Sequence, residues 1–341
     1  MSLRRRVLLA SGLSTLLLVV AVVYVLVAGH RGSAPAMAAA TVDASPGDRI
    51  LFRSTAPDSM GRVATVAVGQ GSGPRTVSGV ACNRVYAAAG AVICLRPDGP
   101  LATYQLAVLD AHLKEVQTYP LVGVPNRARV SPSGHWLAWT VFVTGDSYNG
   151  GRFSTRVGMI NTATGDTVDT LERFAVTLDG KPYQAVDLNF WGVTFVDDRT
   201  FYATMSTAGH RYLIVGDLTT RTVRTIASNV ECPSLSPDGT RIAFKSALGG
   251  NPSKGWRLSV LDLATMRRTP LAETRSVDDQ AAWLDNSQVM YGVRRGTKAS
   301  DVWSVPADGT GSPALIIPNA ESPASLLRLP STSASAGLMP G

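Results

Sequence analysis

The chain has 341 residues, of which 45% are hydrophobic and 17% charged, with 32 Gly, 20 Pro and a net charge of +7. That balance excludes a low-complexity chain and suits a buried, strand-rich core cut by frequent turns. The positive charge invites a nucleic-acid reading, but the basic residues are scattered and no Lys/Arg run follows the apolar start, so no nucleic-acid partner is expected.

Arg4, Arg5 and Arg6 precede an uncharged stretch, Val7–Ala28, which as a helix would span roughly 33 Å, about one hydrocarbon core. The positive-inside rule keeps residues 1–6 in the cytoplasm, so everything after Gly29 is expected outside, on a single-pass anchor in the cell membrane. A cleaved signal peptide is the competing reading, supported by Ala36-Met37-Ala38 and Ala38-Ala39-Ala40, although a signal's apolar region is shorter. No cysteine follows the stretch, which argues against a lipoprotein. Residues 29–47, rich in Gly, Ser, Ala and Pro, read as a flexible tether.

A period then emerges from turn-bounded strand pairs. Its clearest copy is Ser236-Pro237-Asp238-Gly239-Thr240-Arg241-Ile242-Ala243-Phe244, and a second is Ser131-Pro132-Ser133-Gly134-His135-Trp136-Leu137-Ala138-Trp139. Looser copies start at Val196 and Leu284. Pro, Asp, Gly and Asn supply the dihedrals of a tight turn, and an apolar strand follows. The second strands of the units are placed at Ile50–Phe52, Val92–Cys94, Trp136–Ala138, Thr200–Tyr202, Arg241–Ala243 and Gln288–Met290. Most steps are about 40–50 residues, the length of a four-stranded propeller blade. Residues 172–190 hold an excess. The fold expected over residues 48–329 is therefore all-β, a six-bladed β-propeller. Its first unit lacks an innermost strand of its own, and an orphan strand at Ser325–Leu329 is expected to complete it and remove the open edge. Residues 330–341 read as a disordered tail.

The Ser-Pro-Asp-Gly turn followed by Ile-Ala-Phe resembles the repeat of the TolB-like six-bladed propellers, over roughly residues 45–329. The resemblance implies a periplasmic or surface-exposed protein-binding module. The chain departs from TolB itself in lacking a separate N-terminal α/β domain and in carrying an anchor, so the partners of the Tol system do not transfer.

Cys82 and Cys94 flank one strand pair with a turn at Ala89-Gly90, close enough for a bridge worth about 3 kcal/mol in an oxidising compartment. Cys232 reads as an unpaired buried thiol, and three buried free thiols is the alternative. A serine-hydrolase elbow is absent, and His112, His135 and His210 fall in predicted turns or loops, so no catalytic residue is assigned and no cofactor is expected.

Two residue sets are candidates for function. Residues entering the innermost strands should surround the channel mouth: Asn83, Asn126, Asp187, Glu231, Asp279 and Glu321. Oxygen ligands converging from several blades suit a hard cation such as Ca²⁺, loosely resembling six-bladed lactonases and implying a metal-dependent hydrolase as the alternative function. Solvated residues capping turns are the competing reading, and Trp191 interrupts the ring. The second set is basic. Loops between second and third strands carry Arg53, Arg62, Arg152, Arg156, Arg211, Lys245, Lys254, Arg294, Arg295 and Lys298, with Tyr148 in the longest loop. They form an expected rim for an acidic protein or an anionic envelope partner. Turns on the opposite face carry Asp110, Asp166, Asp197, Asp198, Asp217, Asp238, Asp262, Asp285 and Asp308, where Asp stabilises turns through its own side chain. The expected function is a membrane-tethered scaffold that binds proteins or ligands in the cell envelope.

Overall fold

In the computed structural model of the chain, residues 14–24, 41–99, 103–143 and 154–328 are described. Residues 14–24 are helical and exposed. Among the described residues no helix is long and apolar enough to cross a membrane. The rest of the predicted anchor, most of the tether and the predicted tail lie outside the described residues, as do Tyr148 and Arg152.

From Arg49 onward the chain runs through six sheets arranged as blades. The first holds β1 (Arg49–Ser54), β2 (Arg62–Ala67) and β3 (Thr76–Ala81). The second holds β4 (Arg84–Ala88), β5 (Ala91–Asp98), β6 (Thr103–Leu109) and β7 (Glu115–Leu121). The third holds β8 (Val124–Val130), β9 (Trp136–Val143), β10 (Ser154–Asn161) and the short β11 (Thr167–Val168). A 3₁₀ turn (Leu171–Arg173) and a hairpin of β12 (Ala175–Leu178) and β13 (Lys181–Tyr183) come next. They account for the excess at residues 172–190. The hairpin joins the outer edge of the fourth blade, with β12 parallel to that blade's last strand. That blade is built on β14 (Asn189–Phe195), β15 (Thr200–Thr207), β16 (His210–Asp217) and β17 (Thr222–Ser228). The fifth has β18 (Glu231–Leu235), β19 (Arg241–Ala247), β20 (Trp256–Asp262) and β21 (Arg268–Pro270), and the sixth β22 (Ala282–Trp283), β23 (Gln288–Arg295), β24 (Ala299–Pro306) and β25 (Ala314–Ile317).

The ring closes through β26 (Ala320–Ser325), which pairs antiparallel with β1 and becomes the innermost strand of the first blade. Closure by the C-terminal strand was expected, but five residues later, at Ser325–Leu329. The true strand reads Ala-Glu-Ser-Pro-Ala-Ser, with little β-branched character to announce it. Pro323 is tolerated because an innermost strand has one unpaired edge.

The turn chemistry follows the sequence closely. In the fifth blade the Gly239 N–H donates to Ser236 O at 2.9 Å with φ +72°, and Asp238 Oδ1 accepts from the Thr240 N–H at 3.0 Å. Ser131 and Gly134 repeat this in the third blade, where Gly134 has φ +82°. Both turns need the left-handed conformation that glycine adopts without a Cβ penalty.

Packing uses both faces of each blade. In β5, Val92 and Cys94 belong to a core shared with the first blade, whereas Ile93 and Leu95 belong to one shared with the third. All four are buried, so the strand reads as an unbroken apolar run although its side chains alternate. Each such side chain contributes about 1.5–3 kcal/mol on burial. Comparable clusters join every neighbouring pair of blades.

Candidate binding site at the channel mouth

All six blades contribute to a cavity of about 660 Å³ at the end of the channel where the innermost strands begin. Local irregularities shape it. Register shifts fall between Pro125 and Arg127 in β8, Trp191 and Thr194 in β14, and Glu231 and Ser234 in β18. Bulges of this kind re-aim the side chains beside them. Gly192 (φ +67°) is required here, because a Cβ would stand 2.9 Å from the Cys232 Cα.

Of the acidic and amide ring, Asn126, Asp187, Glu231, Asp279 and Glu321 line this cavity. Asn83 does not, and Arg84 stands there instead. Asn83 precedes β4 and Arg84 begins it, and adjacent residues of an extended chain point opposite ways.

Three of the ring's carboxylates stand beside basic groups. Arg53 Nη1 lies 2.9 Å from Glu321 Oε1, across the strand pair that closes the ring. Arg84 and Arg127 lie 3.6 and 3.4 Å from Asp279 Oδ1, and Arg211 Nε is 3.0 Å from Glu231 Oε1. Lys245 pairs with Asp278 and places its ammonium 4.1 Å from the centre of the Trp256 ring. Arg53 and Arg211 of the expected rim thus pair with Glu321 and Glu231 of the expected ring. Among the described residues no group of three His, Cys, Asp or Glu side chains is placed to hold a metal ion.

Arg53 and Arg211 are half-buried and Lys245 is only 5% exposed, so these three face inward rather than forming a rim. Arg62 is half-buried at the start of β2. Arg295 bonds Asp301 Oδ2 at 3.1 Å and Asn319 Oδ1 at 2.6 Å. Arg156, Lys254, Arg294 and Lys298 are exposed.

Charge state follows from these neighbours. Burial would raise the Asp279 carboxyl, but Arg84 and Arg127 outweigh it and hold the group below its ordinary value. Glu231 is the opposite case: burial pushes its carboxyl up to about 7, against the partial opposition of Lys245 and Arg211. A group titrating there changes charge near neutrality.

Beneath the mouth, Arg129 Nη2 donates to Ala281 O at 2.6 Å, and Gln280 Nε2 donates to Val193 O and Pro233 O at 3.0 and 2.7 Å. These bonds tie the third, fourth and fifth blades to the segment that enters the sixth. The segment, residues 271–281, is held by a buried Glu273. Its carboxylate accepts from Tyr291 Oη at 2.7 Å and from Arg275 Nε at 2.9 Å, while Arg275 stacks 3.9 Å from the Trp303 ring centre.

Sequence reasoning missed Arg84, Arg127, Arg129, Asp278 and Gln280. One signal was present: Arg127 and Arg129 stand two apart in a predicted innermost strand, a spacing that turns both to one face. Cys82 and Cys94 are bonded, with 5.4 Å between Cα atoms, and Cys232 is buried and free. On the far face His135 Nδ1 lies 3.2 Å from Asp198 Oδ2, and Ser131 and Ser133 donate to the same carboxylate. Asp198 stands between the serines and the histidine, so this cluster braces a turn and does not activate a hydroxyl.

No protein-family model and no curated protein matches the sequence. Among solved structures, TolB from Acinetobacter baumannii is similar over 82% of this chain and 67% of its own, with a TM-score of 0.55 at 15% identity. A chain of a Nidogen/Laminin complex is similar over 82% of this chain and 98% of its own, with a TM-score of 0.55 at 12% identity. A puromycin-hydrolyzing peptidase of Mycobacterium tuberculosis is similar over 82% of this chain but 47% of its own, with a TM-score of 0.46 at 16% identity. At such identities the first two likenesses speak to fold alone, and with the sheet order they make this chain a six-bladed β-propeller of the shape seen in TolB.

Proposed function

We propose that this chain is a TolB-like, non-enzymatic binding scaffold of the cell envelope, tethered by Val7–Ala28 with its propeller outside the cytoplasm. The observation that carries the reading is the channel mouth, an open cavity of about 660 Å³ lined by charged side chains from every blade. Glu231, Asp279 and Glu321 already have basic partners, while Arg294 and Lys298 are exposed on the sixth blade. A concave polar face with a basic margin suits an acidic protein surface or an anionic envelope component. The Nidogen/Laminin assembly supplies a propeller of similar shape in a protein–protein complex.

Crosslinking of the full chain in native membranes, read by mass spectrometry, tests this. The wild type should crosslink to specific envelope partners through the mouth face, and Arg294→Glu with Lys298→Glu should deplete them. An identical partner set for both proteins would overturn the reading.

A further inference from the structure

Below the mouth the channel narrows to a small chamber of about 20 Å³. Three guanidinium groups contribute to its lining, those of Arg84, Arg127 and Arg129, against one carboxylate, Asp279. Arg127 and Arg129 are each only 8% exposed. Asp278, the nearest other acid, is exposed and already bonded to Lys245. The chamber wall therefore carries an excess of positive charge that no described acid balances.

Hydrogen bonding shows the same deficit. Arg127 spends Nη1 on Asn126 and Nη2 on Asp278 O, and Arg129 spends its two on Ala128 O and Ala281 O. The Nε of each is buried with no acceptor within the protein. Stacking of Arg129 4.4 Å from the Tyr86 ring centre offsets part of its burial. Burial still pulls the Arg129 guanidinium below its ordinary value; Tyr86 and Asp279 oppose this, and the neighbouring Arg127 charge adds to it. Asp279 serves Arg127 at 3.4 Å, but Arg129 has no acid of its own, and an unpaired buried charge is costly, so a fold that keeps it here needs a counter-charge.

We propose that the chamber binds a single monatomic anion, chloride under ordinary conditions, held among Arg84, Arg127 and Arg129. The volume favours a small anion: one water needs about 10–15 Å³, and the space is about 20 Å³. A water would supply acceptors for the orphaned Nε atoms but no charge, and the deficit is in both. The anion acts as a structural pin. It ties β8, at the third blade, to the segment entering the sixth blade on the far side of the ring, and it does so whatever partner the mouth engages.

The test is thermal unfolding of the full chain in detergent, in sodium chloride against sodium gluconate at equal ionic strength. Chloride should raise Tm saturably, by about 2–4 °C, and gluconate should not. Arg129→Met should abolish the difference. Identical melts of the wild type in the two salts would overturn the proposal. If Arg129→Met does not fold, the wild-type protein crystallised from sodium bromide decides: an anomalous peak in the chamber supports the site, and no peak there overturns it.

Discussion

On the turn face most aspartates close their own loops, Asp198 excepted, whereas Asp279 and Glu321 at the mouth find their partners in other parts of the chain. Asp217 Oδ1 accepts the N–H groups of Thr219 and Thr220, Asp262 that of Thr265, Asp285 those of Ser287 and Gln288, and Asp308 that of Thr310. Asp279 instead meets Arg84 and Arg127 across the channel, and Glu321 meets Arg53 from the opposite end of the sequence. The same carboxylate chemistry is local and repeatable on one face, and dependent on ring closure on the other. Loss of a turn aspartate should therefore be a small, additive event, and loss of a mouth acid a large one.

The largest effect is expected at the mouth. Asp279→Ala leaves the buried Arg127 without its main counter-charge, and should destabilise the fold by about 3–5 kcal/mol in urea unfolding of the full chain. A loss below 1 kcal/mol would erase the contrast between the faces. Next is the covalent link beside the mouth: Cys82→Ser with Cys94→Ser opens the short loop and should cost about 3 kcal/mol by the same measurement.

The pH dependence sets Glu231 against the acids held below their ordinary values without any substitution. Glu231 has a folded value of about 7 against an ordinary 4.5, so the folded state holds its proton more tightly and stability falls as pH rises from about 4.5 to about 7. Asp217 and Asp238 are lowered to about 2, Asp217 by Arg199 and the Thr220 N–H, Asp238 by Ser236 and Thr240 against its burial. Their contribution is full above about 4 and is lost as pH falls toward 2. Stability of the full chain should thus peak between these windows, and Glu231→Gln should flatten only the upper limb. An upper limb unchanged in that variant would remove Glu231 from the account. The smallest effect is local: Asp238→Ala removes one turn's acceptor and should cost about 1 kcal/mol, with cooperativity unchanged.

Particular residues show where sequence reasoning reached its limit. Each predicted second strand lies within β1, β5, β9, β15, β19 or β23, because apolar runs after Gly- and Asp-bearing turns need only nearest neighbours to be understood. Five of the six predicted ring residues reached the mouth, since the blade period carries position as well as fold. The sixth failed by one step. The bulges at Pro125/Arg127, Trp191/Thr194 and Glu231/Ser234 carry no shared residue pattern, yet they set which side chains enter the cavity. The inward direction of Arg53, Arg211 and Lys245 was likewise hidden, because a basic residue near a strand end reads the same whether it meets solvent or an acid from another blade.

The sequence by itself determined the blades, their turns and the aspartates that close them, because those depend on dihedral preferences and hydrogen bonds within a few residues. Only the tertiary structure decided which charges face one another at the mouth. Arg53 and Glu321 are 268 residues apart, and the Arg127 guanidinium reaches the backbone of Asp278 151 residues away. Coulombic pairing depends on distance in space, and in a ring that distance is set when the last strand completes the first blade.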